Sequence, residues 1–168
     1  MYKNKAALSW EREDGFLLST DKSLLNLNLI HSFLSEDSYW AKGIAKELVH
    51  ASVENAQLCW GVHKINSRRE IISQVGFARV VTDFVRFSYL SDVFILPEYR
   101  GKELGKWLVS VIVSHPKLKG PSFQLTTNDA QGLYSQFGFQ PLKEPARKME
   151  RPKNMKDIYN AYQLVYPE

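Results

Sequence analysis

The chain has 168 residues, a formal net charge of +4, 44% hydrophobic and 24% charged residues, and one cysteine, Cys59. That balance suits a single globular domain over residues 1–168, a core of about 15–150 and a C-terminal extension of about 151–168, large enough to bury a core without staples. One thiol excludes an internal disulfide framework and any cysteine-rich metal site. No apolar run approaches the roughly 18 residues of a membrane span. The opening MYKNKAALSWERED has no apolar stretch of signal-peptide type. A cytoplasmic protein without membrane contact is therefore expected. The mild positive charge suits an anionic ligand such as a nucleotide or phosphate. Basic residues scatter along the chain, clustering only at Arg68-Arg69 and from Lys143 to Lys156. With no aromatic-basic RNA motif or recognition helix, nucleic-acid binding, whose mark is an affinity falling steeply with salt, is not expected. His31, His50, His63 and His115 lack metal-ligand spacing, so no metal is expected.

In chain order, GFLLST (15–20) reads as a first short strand, and 21–26 as a polar turn. Leu27, Ile30 and Leu34 then share one face of a helix running to about Asp37, and a second helix is predicted over 41–55 with Ile44, Leu48 and Ala51 inward. Residues 57–64 form the next strand, INSRRE a hairpin turn, and 70–82 a long strand with Val75, Phe77, Arg79 and Val81 on one face. After a turn at 84–85, the strand 86–96 is apolar on both faces, Phe87, Tyr89 and Val93 against Leu90 and Phe94, which marks it as central. Hairpin links predict an antiparallel meander. A strong helix follows, with Leu104, Trp107, Leu108, Val111 and Ile112 on its stripe and Ser114-His115-Pro116 as its stop. SFQLTT (122–127) is a strand, and the strand–helix–strand spacing places it parallel to 86–96. A short helix over 130–137 ends at Gly138, a return strand begins at 139–142, RKMERP is a last strand, and 155–164 a terminal helix.

The stretch PEYRGKELGKWLV (97–109) puts Gly101 at a helix entrance and Gly105 inside its first turn. Glycine in a helix interior costs about 1 kcal/mol relative to alanine, so something has to approach this backbone closely. Unpaired N–H groups of a tight loop and of a helix's first turn form an anion site at the positive end of the dipole. Absent Cβ atoms at Gly101 and Gly105 leave room for a diphosphate, and Arg100, Lys102 and Lys106 add positive potential. Neither GxxxxGK[ST] nor GxGxxG is present.

DVFILPEYRGKELGKWLV resembles the pyrophosphate-binding motif of the GNAT superfamily of N-acetyltransferases, Arg/Gln-x-x-Gly-x-Gly/Ala after a strand, a proline and an acidic residue. Arg100 matches the first position and Gly105 the last; position 103 is Glu where the family usually has Gly. TTNDAQGLYSQFGFQPL is similar to the family's later segment, with Asn128, Tyr134, Gly138 and Phe139 at the matching places. The resemblance implies an α+β single-domain GNAT-like (acyl-CoA N-acyltransferase) fold: a mixed, mostly antiparallel central sheet flanked by helices, with splayed parallel strands 86–96 and 122–127. It implies acetyl-CoA (coenzyme A) as cofactor, its diphosphate on Arg100, Gly101, Lys102, Glu103, Leu104, Gly105 and Lys106, and Asn128 also contacting it. Its pantetheine arm would lie along Val93, Phe94 and Ile95, beside a bulge in the first strand, with a backbone N–H near Val93 or Phe94 polarising the thioester carbonyl.

The implied activity is acetyl transfer to a primary amine in a ternary complex, with a small molecule or a protein amino group as acceptor; an acyl-CoA sensor without chemistry is the alternative. By spacing alone Tyr134 reads as packing on its helix with a solvent-reaching hydroxyl; the resemblance instead matches it to the family's tyrosine that protonates the departing thiolate. Asp92, inside the central strand, is a candidate base, since burial raises a carboxyl's pKa; the other option is a structural Asp kept ionised by hydrogen bonds. Tyr39 and Trp40, beside Glu36 and Asp37, offer aromatic faces and acidic charge to an ammonium group. Arg79 could meet an acidic acceptor group or be paired internally. The oligomeric state is left open, a homodimer included.

Overall fold

The computed structural model describes residues 7–167, so the first six residues of the opening stretch lie outside the described residues. Six strands form one sheet in sequence order: β1 (Ser9–Arg12), β2 (Phe16–Ser19), β3 (Leu58–Ile65), β4 (Ile71–Thr82), β5 (Phe87–Ile95) and β6 (Ser122–Gln124). All neighbours are antiparallel except β5 and β6, which run parallel. Between β2 and β3 lie α1 (Leu27–Ser32), a wider turn over Phe33–Asp37, and α2 (Lys46–Asn55). After β5 come α3 (Leu104–Ser114), α4 (Gln131–Tyr134) and α5 (Met155–Val165). The expected α+β sheet with flanking helices is present.

Local chemistry accounts for most boundaries. Asn26 caps α1 by accepting from the Leu29 N–H, and Asn154 caps α5 through Asp157. In the β3–β4 turn the Asn66 carboxamide accepts from the N–H groups of Arg68 and Glu70. In the β4–β5 turn the Asp83 carboxylate accepts from Val85, Arg86 and Phe87, which holds its pKa down at about 2. The Lys22 ammonium donates to the carbonyls of Val53, Glu54 and Ala56 at 2.7, 3.0 and 2.7 Å, closing the C-terminus of α2 where its dipole is negative.

Two apolar clusters cover the two faces of the sheet. One contains Leu18, Trp60, Val62, Val75, Val80 and Leu90 with Leu104, Leu108 and Ile112 of α3. The other contains Ile30, Phe33, Leu34, Val49, Val53, Cys59, Phe77 and Phe94. Two expectations of facing are corrected here. Val75 and Phe77 belong to opposite clusters, because pairing skips Val75 between Val62–Gly76 and His63–Gln74. Leu90 and Phe94 do too, because β5 carries an extra residue between the Arg79–Ser91 and Phe77–Phe94 pairs. Each inserted residue reverses the period-2 alternation downstream.

Other differences concern edges. β1 was not expected; it pairs with β2 through a turn in which Gly15 takes φ +84°. The second helix begins at Lys46, since Gly43 at φ +75° turns the chain before it. The strand predicted over 122–127 keeps regular pairing only through Gln124, and neither the return strand at 139–142 nor the strand RKMERP forms.

Candidate active site

Pairing of β5 with β6 stops at Tyr89–Gln124, although β5 continues to Ile95. Beyond it, among the described residues, a side-chain link, the Tyr89 hydroxyl to Thr126 Oγ1 at 2.9 Å, joins the two segments. The strands therefore part along residues 90–95, where the bulge lies. At that bulge Asp92 takes φ +53°, a left-handed conformation uncommon for a residue with a side chain.

The glycine turn sits where this parted strand ends. Gly101 has φ +77°, and a Cβ there would meet nothing within 4 Å; one on Gly105 would touch only Leu133 Cδ2, at 3.8 Å. Neither glycine is needed for packing within the chain, so both leave open approach to the backbone. The N–H groups of residues 101–106 find no partner among the described residues, and α3 begins at Leu104. Glu103 adopts φ +59°, the left-handed conformation that suits the family's glycine. Its carboxylate does not cap the helix but pairs with Lys106 at 2.8 Å. Lys102 lies over the rings of Tyr99 and Phe16, at 5.4 and 5.9 Å. The positive potential expected from the two lysines is thus partly engaged, while Arg100 donates from Nε to the Ile95 carbonyl at 3.1 Å. Leu104 is buried in the core and offers only its backbone.

Arg79, Asp92, Tyr39 and Trp40 gather on the α1–α2 side, while Tyr134 belongs to the cluster on the α3 face. Arg79 Nε donates to Asp92 Oδ2, Trp40 Nε1 donates to Asp92 Oδ1 at 3.1 Å, and Arg79 Nη2 reaches Ser91 Oγ at 3.2 Å. The Arg79 and Asp92 side chains are 18% and 11% exposed. Trp40 packs edge-to-face on Tyr39 at 4.9 Å. The Tyr39 hydroxyl accepts from the Asn128 N–H at 2.9 Å and donates to Asp129 Oδ1 at 3.4 Å. Asn128, expected on the cofactor, is thereby tied to the segment expected to meet the acceptor. Tyr134 is buried, packs against Phe139 at 5.8 Å, and its hydroxyl has no partner among the described residues. Burial first, then the neighbouring Tyr39 and Asp129, push its pKa up to about 12.

Ser91, Tyr89, Thr126 and Asp129 border this group without having been singled out; for Asp129 the adjacent Asn128 is the one local cue. A cavity of about 880 Å³ lies beside β6, α4 and residues 137–142, where the return strand is missing, and meets the gap along Gln124 to Thr127 and Tyr134. It lacks the glycine turn and Asp92, so the parted strands define the site rather than this cavity.

A family model of the Acetyltransferase (GNAT) domain matches residues 66–141. A solved structure from Xanthomonas campestris pv. campestris, described as "a putative acetyltransferase belonging to the gnat family", is 43% identical, covers 82% of this chain and 93% of that chain, and superposes with a TM-score of 0.74. A Gibberella zeae protein named as a "putative acetyltransferase" is 33% identical over 116 residues, 62% of this chain and 65% of the relative, so the match spans just under two thirds of that relative's length. A Staphylococcus aureus structure described as a probable acetyltransferase, 19% identical over 83% of this chain and 99% of its own, with a TM-score of 0.63, shares the fold. This chain belongs to the GNAT family of acetyltransferases.

Proposed function

We propose that this chain transfers an acetyl group from acetyl-CoA directly to a primary amine in a ternary complex. The observation that carries this is the run of unpartnered N–H groups at residues 101–106, placed at the foot of a strand that has parted from its neighbour. The open space at Gly101 and Gly105 fits a diphosphate held by backbone groups. When bound, acetyl-CoA would supply the activated acetyl thioester. The backbone of Val93 to Ile95 would pair with the pantetheine arm, and an N–H near Val93 or Phe94 would donate to the thioester oxygen as charge builds there.

Tyr134 is the proton donor. A phenol with its pKa raised to about 12 stays protonated at neutral pH, and its free hydroxyl is available to the sulfur as it leaves. Tyr39 and Trp40, 49% and 37% exposed, supply aromatic faces on the acceptor side. The incoming amine has to arrive neutral, its surplus proton passing to water or a nearby carboxylate such as Asp129. Fixing both reactants in line supplies much of the acceleration.

The test is release of coenzyme A thiol from acetyl-CoA across amines, arylamines, amino acids and peptides. Cys59 is buried with its pKa pushed up to about 11, so a thiol reagent reports the coenzyme with little background from the protein. Tyr134→Phe is expected to lower turnover by roughly 100-fold, the scale of general acid catalysis, with coenzyme affinity unchanged. Coenzyme binding without thiol release from any amine would mark a non-catalytic acyl-CoA module instead.

A further inference from the structure

Asp92 occupies a left-handed conformation in the middle of a strand. Such a residue is strained and persists only where its surroundings over-determine it. Those surroundings are identifiable. One carboxylate oxygen takes the Nε of Arg79 on the paired strand β4, and the other takes the indole N–H of Trp40 in the segment before α2. Arg79 is held in turn by Ser91, the residue before the bulge. The bulge decides what lies on either side of it: Leu90 is buried against α3, while Phe94 stacks on Phe33 at 3.9 Å on the opposite face.

We propose that Arg79 and Trp40 clamp the Asp92 carboxylate so as to set the β5 bulge, which makes Asp92 a positioning residue acting through the backbone of Val93 and Phe94. The clamp rests on the proposed function, in which those backbone groups meet the acetyl thioester. It assigns a reason for an aspartate at this position: glycine would allow the left-handed conformation, whereas a carboxylate with two fixed donors selects it. With both oxygens occupied, Asp92 is an anchor between two chain segments rather than a free proton acceptor. Trp40 thereby gains a second role, linking the acceptor-side segment to the strand that would carry the thioester.

The test compares Asp92→Asn, Asp92→Gly, Asp92→Ala and Trp40→Phe by calorimetric coenzyme A affinity, kcat, and the pH profile of kcat/KM, with the melting temperature of each variant recorded. Asparagine tolerates the left-handed conformation but offers one acceptor oxygen to two donors, so it is expected to weaken coenzyme affinity about as much as Trp40→Phe while the acidic limb of the profile stays intact. Glycine is expected to outperform alanine by about tenfold, the worth of the roughly 1–2 kcal/mol left-handed penalty that only alanine meets. Trp40→Phe, which keeps a ring but loses the donor, is expected to weaken coenzyme affinity, which loss of an acceptor contact alone would not do. Loss of the acidic limb in Asp92→Asn, or glycine no better than alanine, overturns the clamp. If alanine or glycine fails to fold, the asparagine profile decides. A wild-type protein that turns over no amine while the same order appears in coenzyme affinity overturns the proposed function and leaves the clamp standing.

Discussion

Removing the charge of Glu103 probes where the diphosphate sits. The side chain is 65% exposed, pairs with Lys106 at 2.8 Å, and stands immediately before the first turn of α3. In the free protein the carboxylate gains about 0.3–1 kcal/mol from the helix dipole. A bound diphosphate competes for the same field and is repelled by the same carboxylate. Glu103→Gln removes this opposition and frees Lys106 while leaving the backbone at φ +59°. A gain of roughly 0.5–1 kcal/mol follows, about 2- to 5-fold tighter coenzyme A binding, after discounting for solvent screening at an exposed site. Glu103→Gly adds closer backbone approach. Its effect on stability is small, because relief of about 1–2 kcal/mol of left-handed cost is offset by about 0.5–1 kcal/mol of unfolded-chain entropy and the lost helix-end charge. Isothermal titration with coenzyme A at low and high salt, with melting curves for each variant, measures both. The gain should shrink with salt. Unchanged or weaker binding of Glu103→Gln at low salt would refute placement of the diphosphate at this turn.

Two further predictions concern the scaffold. His63 is fully buried with both ring nitrogens unpartnered among the described residues, and burial lowers its pKa below the usual 6.5. The unfolded chain therefore takes up a proton below about pH 6.5 while the native state does not, so stability should fall as pH drops, by at most about 1.4 kcal/mol per pH unit from this group. Urea unfolding of wild type and His63→Leu from pH 8 to 5 should show a shallower decline in the variant; parallel curves would count against the assignment. Lys22→Met leaves the carbonyls of Val53, Glu54 and Ala56 without their shared donor. It should cost roughly 1.5–3 kcal/mol, the range for hydrogen bonds to a charged group, in the midpoint of denaturant unfolding; a change under about 0.5 kcal/mol, the usual surface value, would show that water replaces the ammonium at no penalty.

Short-range chemistry was legible in the chain itself. The glycine turn, the Asn66 and Asp83 turns, the apolar stripe of α3, the terminator at Gly138 and the hairpin order of β3, β4 and β5 all arise from residues within a few positions of one another, where backbone conformation and amphipathic period decide the outcome. Local patterns carry no record of an inserted residue in a paired strand. Val75 and Asp92 could therefore be placed on a strand but not on the correct side of it, since register is a property of two strands together. The return strand at 139–142 is absent too: the Phe139 ring meets that of Phe123 on the edge strand β6, but no backbone pairing accompanies the contact. The contacts that build the candidate site, Trp40 to Asp92 across 52 positions and Tyr39 to Asn128 across 89, exist only once β5 and β6 have parted and the turn after α1 has packed its Phe33 against Phe94. The sequence by itself determined an anion-binding turn and a sheet to carry it; tertiary packing alone decided which side chains meet there, because hydrogen bonds between distant residues form only after the core has brought their backbones together.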